Sequence, residues 1–443
     1  MSFYIFWPDA AMLVQKGFSR VAHIPCIFTS DWQYVVAPST YLIERALLDW
    51  TPGTKNGVGS NRFPTQKSLQ AYSEALTNFL EWAELRGVDW KIVTYAEHLI
   101  DGYQKEMSQG SWSASGKPLA PATINARMQE VCNFLSWAEK RGLRGEFRVL
   151  TTTQKISIGS ATDSYGHRER EVDVRIGKVR QDPKSLHIPT DLEMTKWLQR
   201  VLVQRGETKA LMCELILETA VRREEAAGWR VDSVPLRVED WENRGKKIKA
   251  TIKFGTKGQG YGKDHTDKIG PMREIWMPIE LAQKLHEYRN GPRLAARSKW
   301  VKAAVTKEEQ RARISQPSPH LFLSETTGER ITAMSLYKAW TEVSYLPFEG
   351  WSPHLGRHYW ACKALLWEAK KRIDQLGLKP DKLPVDWITG NTMSDIQLII
   401  QPQLGHVDKK TSEKYLVWLI NMFAGGEGMQ IDYFDRLDAD EDK

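Results

Sequence analysis

The chain has 443 residues, a formal net charge of +7 and a pI of about 9.0. That length exceeds one ordinary hydrophobic core, so two or three domains are expected. With 41% hydrophobic and 26% charged residues the composition is that of a soluble globular protein, and no uninterrupted apolar stretch is long enough to span a bilayer. The N-terminus lacks the charged start and cleavage site of a signal peptide, so a cytoplasmic protein with no membrane partner is expected. The basic balance favours a polyanionic partner without proving one. Cys26, Cys132, Cys213 and Cys362 are far apart, with no CxxC spacing. They read as small buried thiols in a reducing compartment. His23 and Cys26 are three apart, but nothing nearby completes a metal set, so neither metal nor cofactor is expected. The 18 tryptophans read as core packing.

Residues 1–60 are aromatic and irregular, a lead-in with a strand expected near 32–36 and a helix near 40–50. Residues 53–61 are a loop by composition. From Thr65 a helical pattern begins: Leu69, Tyr72, Leu76, Phe79, Leu80 and Ala83 follow the 3.6 period, with Thr65 able to cap the start and Gly87 suiting the stop. A second helix is expected over 122–140, followed by Gly142. The two strings echo each other, Asn78-Phe-Leu-Glu-Trp-Ala-Glu-Leu-Arg-Gly87 against Asn133-Phe-Leu-Ser-Trp-Ala-Glu-Lys-Arg-Gly142. Only two copies occur, so they read as similar bundle helices and not as a repeat architecture. A helix near 95–107 and a Ser/Gly-rich loop at 108–117 lie between them. Residues 61–145 therefore form a small all-α unit.

Residues 146–188 are polar and basic, a linker with room for a strand or two. Its Arg and Lys residues can track phosphates or simply solvate a tether. A third region, 189–428, opens with Thr190-Asp-Leu-Glu193, a capping-box pattern. A helix is expected over 209–227, strands over 248–254 and 273–277 around a Gly-rich turn at 255–270, and helices near 280–289, 333–343, 356–371 and 411–420. The tail 429–443 is acidic and expected to be disordered. The fold class is mainly α with a small antiparallel β-sheet.

The chemistry-bearing residues lie in the C-terminal half. Arg222 ends an apolar helix in Thr219-Ala-Val-Arg222-Arg-Glu-Glu225; taken singly, such an arginine is commonly a surface residue. His354 and Arg357 stand three apart after Ser352-Pro353, a good helix start that puts both on one face. His406 follows Leu404-Gly405, and Tyr415 comes nine positions later on a short helix. Alone, such a histidine is more often a hydrogen-bonded structural residue and such a tyrosine is usually packing. Together, in this order, they are what cleaving a DNA phosphodiester without metal requires. The tyrosine supplies a nucleophile, the arginines clamp the non-bridging oxygens, and the histidines move protons near neutral pH. Phe254-Gly-Thr-Lys257-Gly258 puts a lysine in the turn between two strands, with Lys263 and Lys268 in the same turn.

These strings resemble the tyrosine recombinase (phage integrase) family over roughly residues 65 to 420, most closely after residue 218. The resemblance implies an α-helical core-binding (SAM-like) domain ahead of an α+β catalytic domain. It implies that Arg222, Lys257, His354, Arg357, His406 and Tyr415 are catalytic, with Tyr415 forming a 3′-phosphotyrosine and exchange passing through a Holliday junction. Lys257 would donate to the leaving 5′ oxygen, Glu225 would match a buried bracing carboxylate, and His358 a structural histidine. The expected partners are double-stranded DNA, a homotetramer on two DNA sites, and accessory DNA-bending or directionality proteins. The protein would then be associated with the nucleoid when bound. The size resembles mobile-element enzymes of the family more than its chromosome-dimer resolvases. Lys117, Arg127, Lys140 and Arg141 are candidate DNA contacts of the helical domain, and the segment after Tyr415 a candidate docking element. The family has Gly where Ala220 stands, and the interval from Arg357 to His406 is longer than usual, which reads as an insertion loop over 370–393. The shared chemistry leaves type IB topoisomerase activity open, and a degenerate DNA-binding regulator on the same scaffold.

Overall fold

The computed structural model describes residues 2–52, 63–158, 168–180, 186–253, 272–377, 385–405 and 410–424. The chain separates into two compact units, Met1–Pro183 and Lys184–Lys443. The expected loop at 53–61, the turn at 255–270 and the acidic tail lie outside the described residues.

In the first unit, β1 (Phe3–Phe6) pairs antiparallel with β2 (Cys26–Thr29), Tyr4 opposite Phe28. Between them α1 (Ala10–Gln15) is capped by the Asp9 carboxylate, which accepts from the Ala11 and Met12 amides. The strand expected at 32–36 is reduced to one antiparallel bridge, Tyr34 opposite Phe28, with the Val35 amide donating to the Ile27 carbonyl. Trp32 sits in a left-handed turn at φ 59°, and α2 (Val36–Leu47) starts four residues before the expected helix. Thr65 caps α3 (Gln66–Leu85). A π-helical stretch, Tyr95–Gln104, runs into α4 (Lys105–Gln109), and α5 (Pro121–Lys140) starts with proline at its first turn.

The duplicated string has duplicated roles. Phe79 and Trp82 stack at 6.2 Å, Phe134 and Trp137 at 5.9 Å, and Gly87 and Gly142 both adopt the left-handed backbone that ends a helix. Residues read only as a lead-in join the same core through Ile24, Ile27, Tyr41, Leu42 and Trp50. The Tyr41 hydroxyl donates to the buried Glu130 carboxylate at 2.6 Å and ties α2 to α5. The basic stretch does contain two strands, β3 (Thr151–Ile158) and β4 (Arg168–Arg175), paired antiparallel. Its far end is fixed to the helices. Arg175 is buried and donates to Tyr95, Gln104 and Asn125, whose side chains reach on to Gly177 and Val179.

The second unit opens with α6 (Asp191–Arg205), carrying the expected Thr190–Glu193 capping box, and α7 (Glu207–Thr219). The helix expected over 209–227 is broken. Ala220 takes φ 56°, and α8 (Arg223–Ala227) begins afresh. A three-stranded antiparallel sheet follows, order β5 (Asn243–Arg244), β6 (Lys247–Ile252), β7 (Arg273–Pro278), with Ala250 opposite Ile275. Next come α9 (Ile279–Asn290), α10 (Pro292–Lys302), α11 (Lys307–Ser315), α12 (Ala333–Thr341) and α13 (Pro353–Leu376). The stretch expected as an insertion loop is largely helical. α13 continues to Leu376, and α14 (Val385–Asp395) leads through a π-helical turn, Ile396–Ile400, to α15 (Gln401–Leu404). α16 (Lys410–Ala424) closes the described chain. One apolar core joins α6, α7, α9 and the sheet; a second joins α13, α14 and α16 and includes Ala220 and Tyr415. Among the described residues no helix is long and apolar enough to cross a membrane.

Candidate active site

The break after α7 places Arg222. With Ala220 left-handed, Arg222 returns to an extended conformation and becomes the N-cap of α8. Its amide donates to Glu225 Oε2 at 2.7 Å and its Nη1 to Glu225 Oε1 at 3.0 Å. Glu225 is fully buried, and the Arg222 side chain is about a quarter exposed. Arg223 turns away to Glu224 and the Tyr337 ring.

Arg357 is placed by the first turn of α13. Trp197, Trp340 and Trp351 pack with ring centroids 4.4 to 5.9 Å apart beneath that turn. Gly356 lies so close to them that a Cβ there would meet the Trp340 ring at 2.5 Å. The backbone can therefore press against the tryptophans, and Arg357 points inward at 2% exposure. Its Nη1 donates to the Ala220 carbonyl at 2.8 Å and its Nη2 to the Leu404 carbonyl. His354, one turn earlier, faces solvent.

The segment from Gln403 to Gly405 is pinned from three sides. Buried Gln403 donates to the Thr219 and Trp276 carbonyls and accepts from the Trp276 amide. Arg357 holds the carbonyl of Leu404, and Arg222 Nη2 reaches that of Gly405 at 3.4 Å. Arg273, the first residue of β7, donates to the Gln403 carbonyl and to Glu225 Oε2, the latter at 2.7 Å. Gly405 has φ 60°, and a Cβ there would meet Arg273 Cδ at 3.1 Å. Left-handed backbone and close approach together require glycine immediately before His406.

On α16, Tyr415 is fully buried and its hydroxyl lies 2.8 Å from His358 Nδ1. The opposite ring nitrogen, Nε2, lies 3.0 Å from Lys414 Nζ. The His354 and His358 rings meet edge to face at 4.4 Å, which brings His354 into the same cluster.

Four cationic side chains, Arg222, Arg273, Arg357 and Lys414, stand here against Glu225. Burial and then repulsion by Arg222 push the Arg357 guanidinium down to about 9, still charged at neutral pH. Both of its hydrogen bonds go to neutral carbonyls. The Lys414 ammonium is lowered by burial and then by Arg357. His354 is lowered by the protein mass around one side of its ring, then by Lys414, Arg357 and Arg222. Burial raises the Tyr415 phenol, while Arg357 pulls it the other way. A buried guanidinium hydrogen-bonded only to neutral carbonyls, among other cations, suits an anion with several oxygens.

Of the residues singled out from the sequence, Arg222, His354, Arg357 and Tyr415 gather around this cluster. Lys257 and His406 lie outside the described residues. In the first unit Lys117 and Lys140 are exposed, Arg127 donates to Asn78 at 2.9 Å, and Arg141 is paired with Glu44 at 2.7 Å. Sequence reading did not find Arg273, Gln403 or Lys414. Lys414 stands beside Tyr415 and was open to notice; Arg273 and Gln403 carry no local signal. His358, read as structural, is the side chain that touches the Tyr415 hydroxyl.

No protein-family model matches the chain, and no curated protein does. Several solved structures are similar to it. A variant of the Tn1549 transposon integrase in complex with a circular intermediate DNA is 15% identical over 80% of this chain and 90% of that one, with a TM-score of 0.45. XerH site-specific recombinase bound to difH substrate is 16% identical over 79% and 76%, at 0.40. A lambda integrase dimer bound to a COC′ core site is 13% identical over 81% and 90%, at 0.42. At these identities and scores the likeness adds nothing to what this chain's own side chains can do chemically.

Proposed function

We propose that the protein is a site-specific DNA recombinase that cuts and rejoins DNA through Tyr415. The carrying observation is the buried Arg357 guanidinium, hydrogen-bonded to the Ala220 and Leu404 carbonyls, the latter next to the Gly405 carbonyl that Arg222 reaches, with its charge acting on the Tyr415 phenol. In this reading the two arginines take the non-bridging oxygens of the scissile phosphate. Their bonds tighten as charge develops in the transition state. The Tyr415 oxygen attacks phosphorus, the 5′ oxygen leaves with a proton from Lys257, and a 3′-phosphotyrosine stores the link. His354 and His406 move protons. The 5′ hydroxyl of a partner strand then attacks the phosphotyrosine and releases the phenol. Two rounds, through a Holliday junction in a tetramer on two DNA sites, exchange both strands. The helical unit supplies further DNA contacts.

Tyr415 is fully buried in the free chain, so cutting requires α16 or its cover to shift when DNA arrives. The same burial favours a second reading, a protein that binds DNA and does not cut it. A nicked suicide DNA substrate separates the two. The recombinase reading expects a covalent adduct that Tyr415→Phe abolishes while DNA binding persists. Binding without any adduct supports the regulator.

A further inference from the structure

The contact between His358 and Tyr415 has an orientation fixed by charge. Lys414 Nζ lies 3.0 Å from His358 Nε2. A protonated lysine amine can only donate, so Nε2 must present its lone pair. In a neutral imidazole the proton then sits on Nδ1, the nitrogen 2.8 Å from the Tyr415 oxygen. The phenol oxygen therefore accepts from His358, and the ammonium charge stands directly behind the donor. Lys414 Nζ also lies 5.3 Å from the Tyr415 ring centroid. The surroundings hold the array in place: Tyr415 is fully buried, His358 is 4% exposed and Lys414 is half-buried.

We infer that Lys414 and His358 form a proton relay to the Tyr415 oxygen, acting as the acid that releases the phenol when the DNA strand is rejoined. The inference deepens the recombinase reading and rests on it. In the rejoining step the incoming 5′ hydroxyl oxygen bonds to phosphorus and the bond from phosphorus to the Tyr415 oxygen breaks. The hydroxyl's own proton leaves to one of the histidines, His354 or His406. As the phenolate departs, the Nδ1 proton of His358 passes to it, and a Lys414 proton passes to Nε2. The products are a neutral phenol, a neutral lysine and His358 restored with its proton moved from one nitrogen to the other; solvent then resets the pair. Cutting runs the path backwards from the other proton arrangement, in which solvent has taken the Lys414 proton and His358 carries its own on Nε2, leaving Nδ1 free to accept the phenol's. His358 touches the reacting oxygen and is catalytic on this account; Lys414 acts through it as a positioning residue. The lowered proton affinity of Lys414 and the raised affinity of Tyr415 both favour this direction of transfer.

Two measurements test the relay. The first needs no DNA: nitrogen-15 NMR of histidine-labelled protein assigns the neutral tautomer of His358. The Nδ1–H form is expected in the wild type and the Nε2–H form in Lys414→Met. An Nε2–H form in the wild type overturns the inference. The second follows resealing of a preformed adduct by a 5′-hydroxyl oligonucleotide. Lys414→Met should slow resealing about a hundredfold, the lower end of what a positioned proton donor supplies, and Lys414→Arg, which keeps the charge and the His358 tautomer but does not release a proton, should stay slow. The wild-type rate should fall as pH rises through the lowered Lys414 titration, a fall missing in Lys414→Met. His354, Arg357, Cys362 and Tyr415 also face this array, and the Lys414→Met profile separates their titrations from that of the lysine. Melting temperature and DNA affinity control for folding. A Tyr415-dependent adduct that reseals normally in Lys414→Met, with an unchanged pH profile, sinks the relay alone. An adduct that survives Tyr415→Phe sinks the recombinase reading as well.

Discussion

Replacing Glu225 with glutamine removes one charge and leaves the shape. The carboxylate accepts three bonds: from the Arg222 amide and Arg273 Nη2 on Oε2, both at 2.7 Å, and from Arg222 Nη1 on Oε1 at 3.0 Å. Glutamine can keep its carbonyl at the Oε2 position, but its NH2 then faces the Arg222 guanidinium as donor against donor. The lost charge-assisted bond costs about 1.5–3 kcal/mol. Arg273, only 13% exposed, is also left without a counter-charge beside Arg357. Breaking a buried pair costs roughly 3–5 kcal/mol, an upper bound here because Arg222 is 23% exposed and can turn to water. The expected loss is about 2–4 kcal/mol, read as a lower urea midpoint at unchanged slope with tryptophan fluorescence as the probe. Inorganic phosphate should recover part of the loss, because an anion replaces the missing charge. A loss below about 0.5 kcal/mol, within the range of an ordinary surface change, with no recovery by phosphate, would refute the view of Glu225 as the brace of this cluster.

Gly356→Ala drives a Cβ to 2.5 Å from the Trp340 ring, so stability should fall by about 1–3 kcal/mol, with altered near-UV circular dichroism from the tryptophan cluster. Ala220→Gly relieves a left-handed alanine, worth about 1 kcal/mol, and gives up one buried methyl of about 0.8 kcal/mol. The melting temperature should therefore barely move, and a large fall would show that the backbone at 220 is not strained. His354 should titrate below its ordinary 6.5 by proton NMR. Since its folded value is depressed, its neutral form contributes stability above the unfolded value, and that contribution fades as pH falls through the folded one. Binding a phosphate-bearing oligonucleotide should move the midpoint upward as the flanking cations are neutralised.

Helix starts and stops were legible where a side chain closes a local bond. Thr65, Thr190 and the glycines at 87 and 142 act within one turn of chain, and the sequence carries that turn. The break at Ala220 was not legible, because Leu215 to Ala227 has unbroken helical propensity. What stops the helix is distant: Arg357 takes the Ala220 carbonyl and Gln403 that of Thr219. α10 was missed for a related reason. Its buried residues are Arg293 and Ala296, and the arginine is satisfied by the His320 and Ser318 carbonyls, so no apolar stripe marks the helix. In the site, the order Arg222, His354, Arg357, Tyr415 was readable as chemistry. Arg273 and Gln403 act through tertiary bonds that join β7 to α7, α8 and α15 and could not be read locally. The role of His358 depends on which nitrogen faces Lys414, a matter of packing between α13 and α16.

The central claim is that the Tyr415 oxygen becomes joined to DNA. Its most direct measurement is mass spectrometry of the protein–DNA adduct after nuclease and protease digestion. The account predicts a single nucleotide-bearing peptide, with the 3′-phosphate on Tyr415. A nucleotide on any other residue, Tyr433 included, or none at all under conditions where DNA is bound, would contradict it.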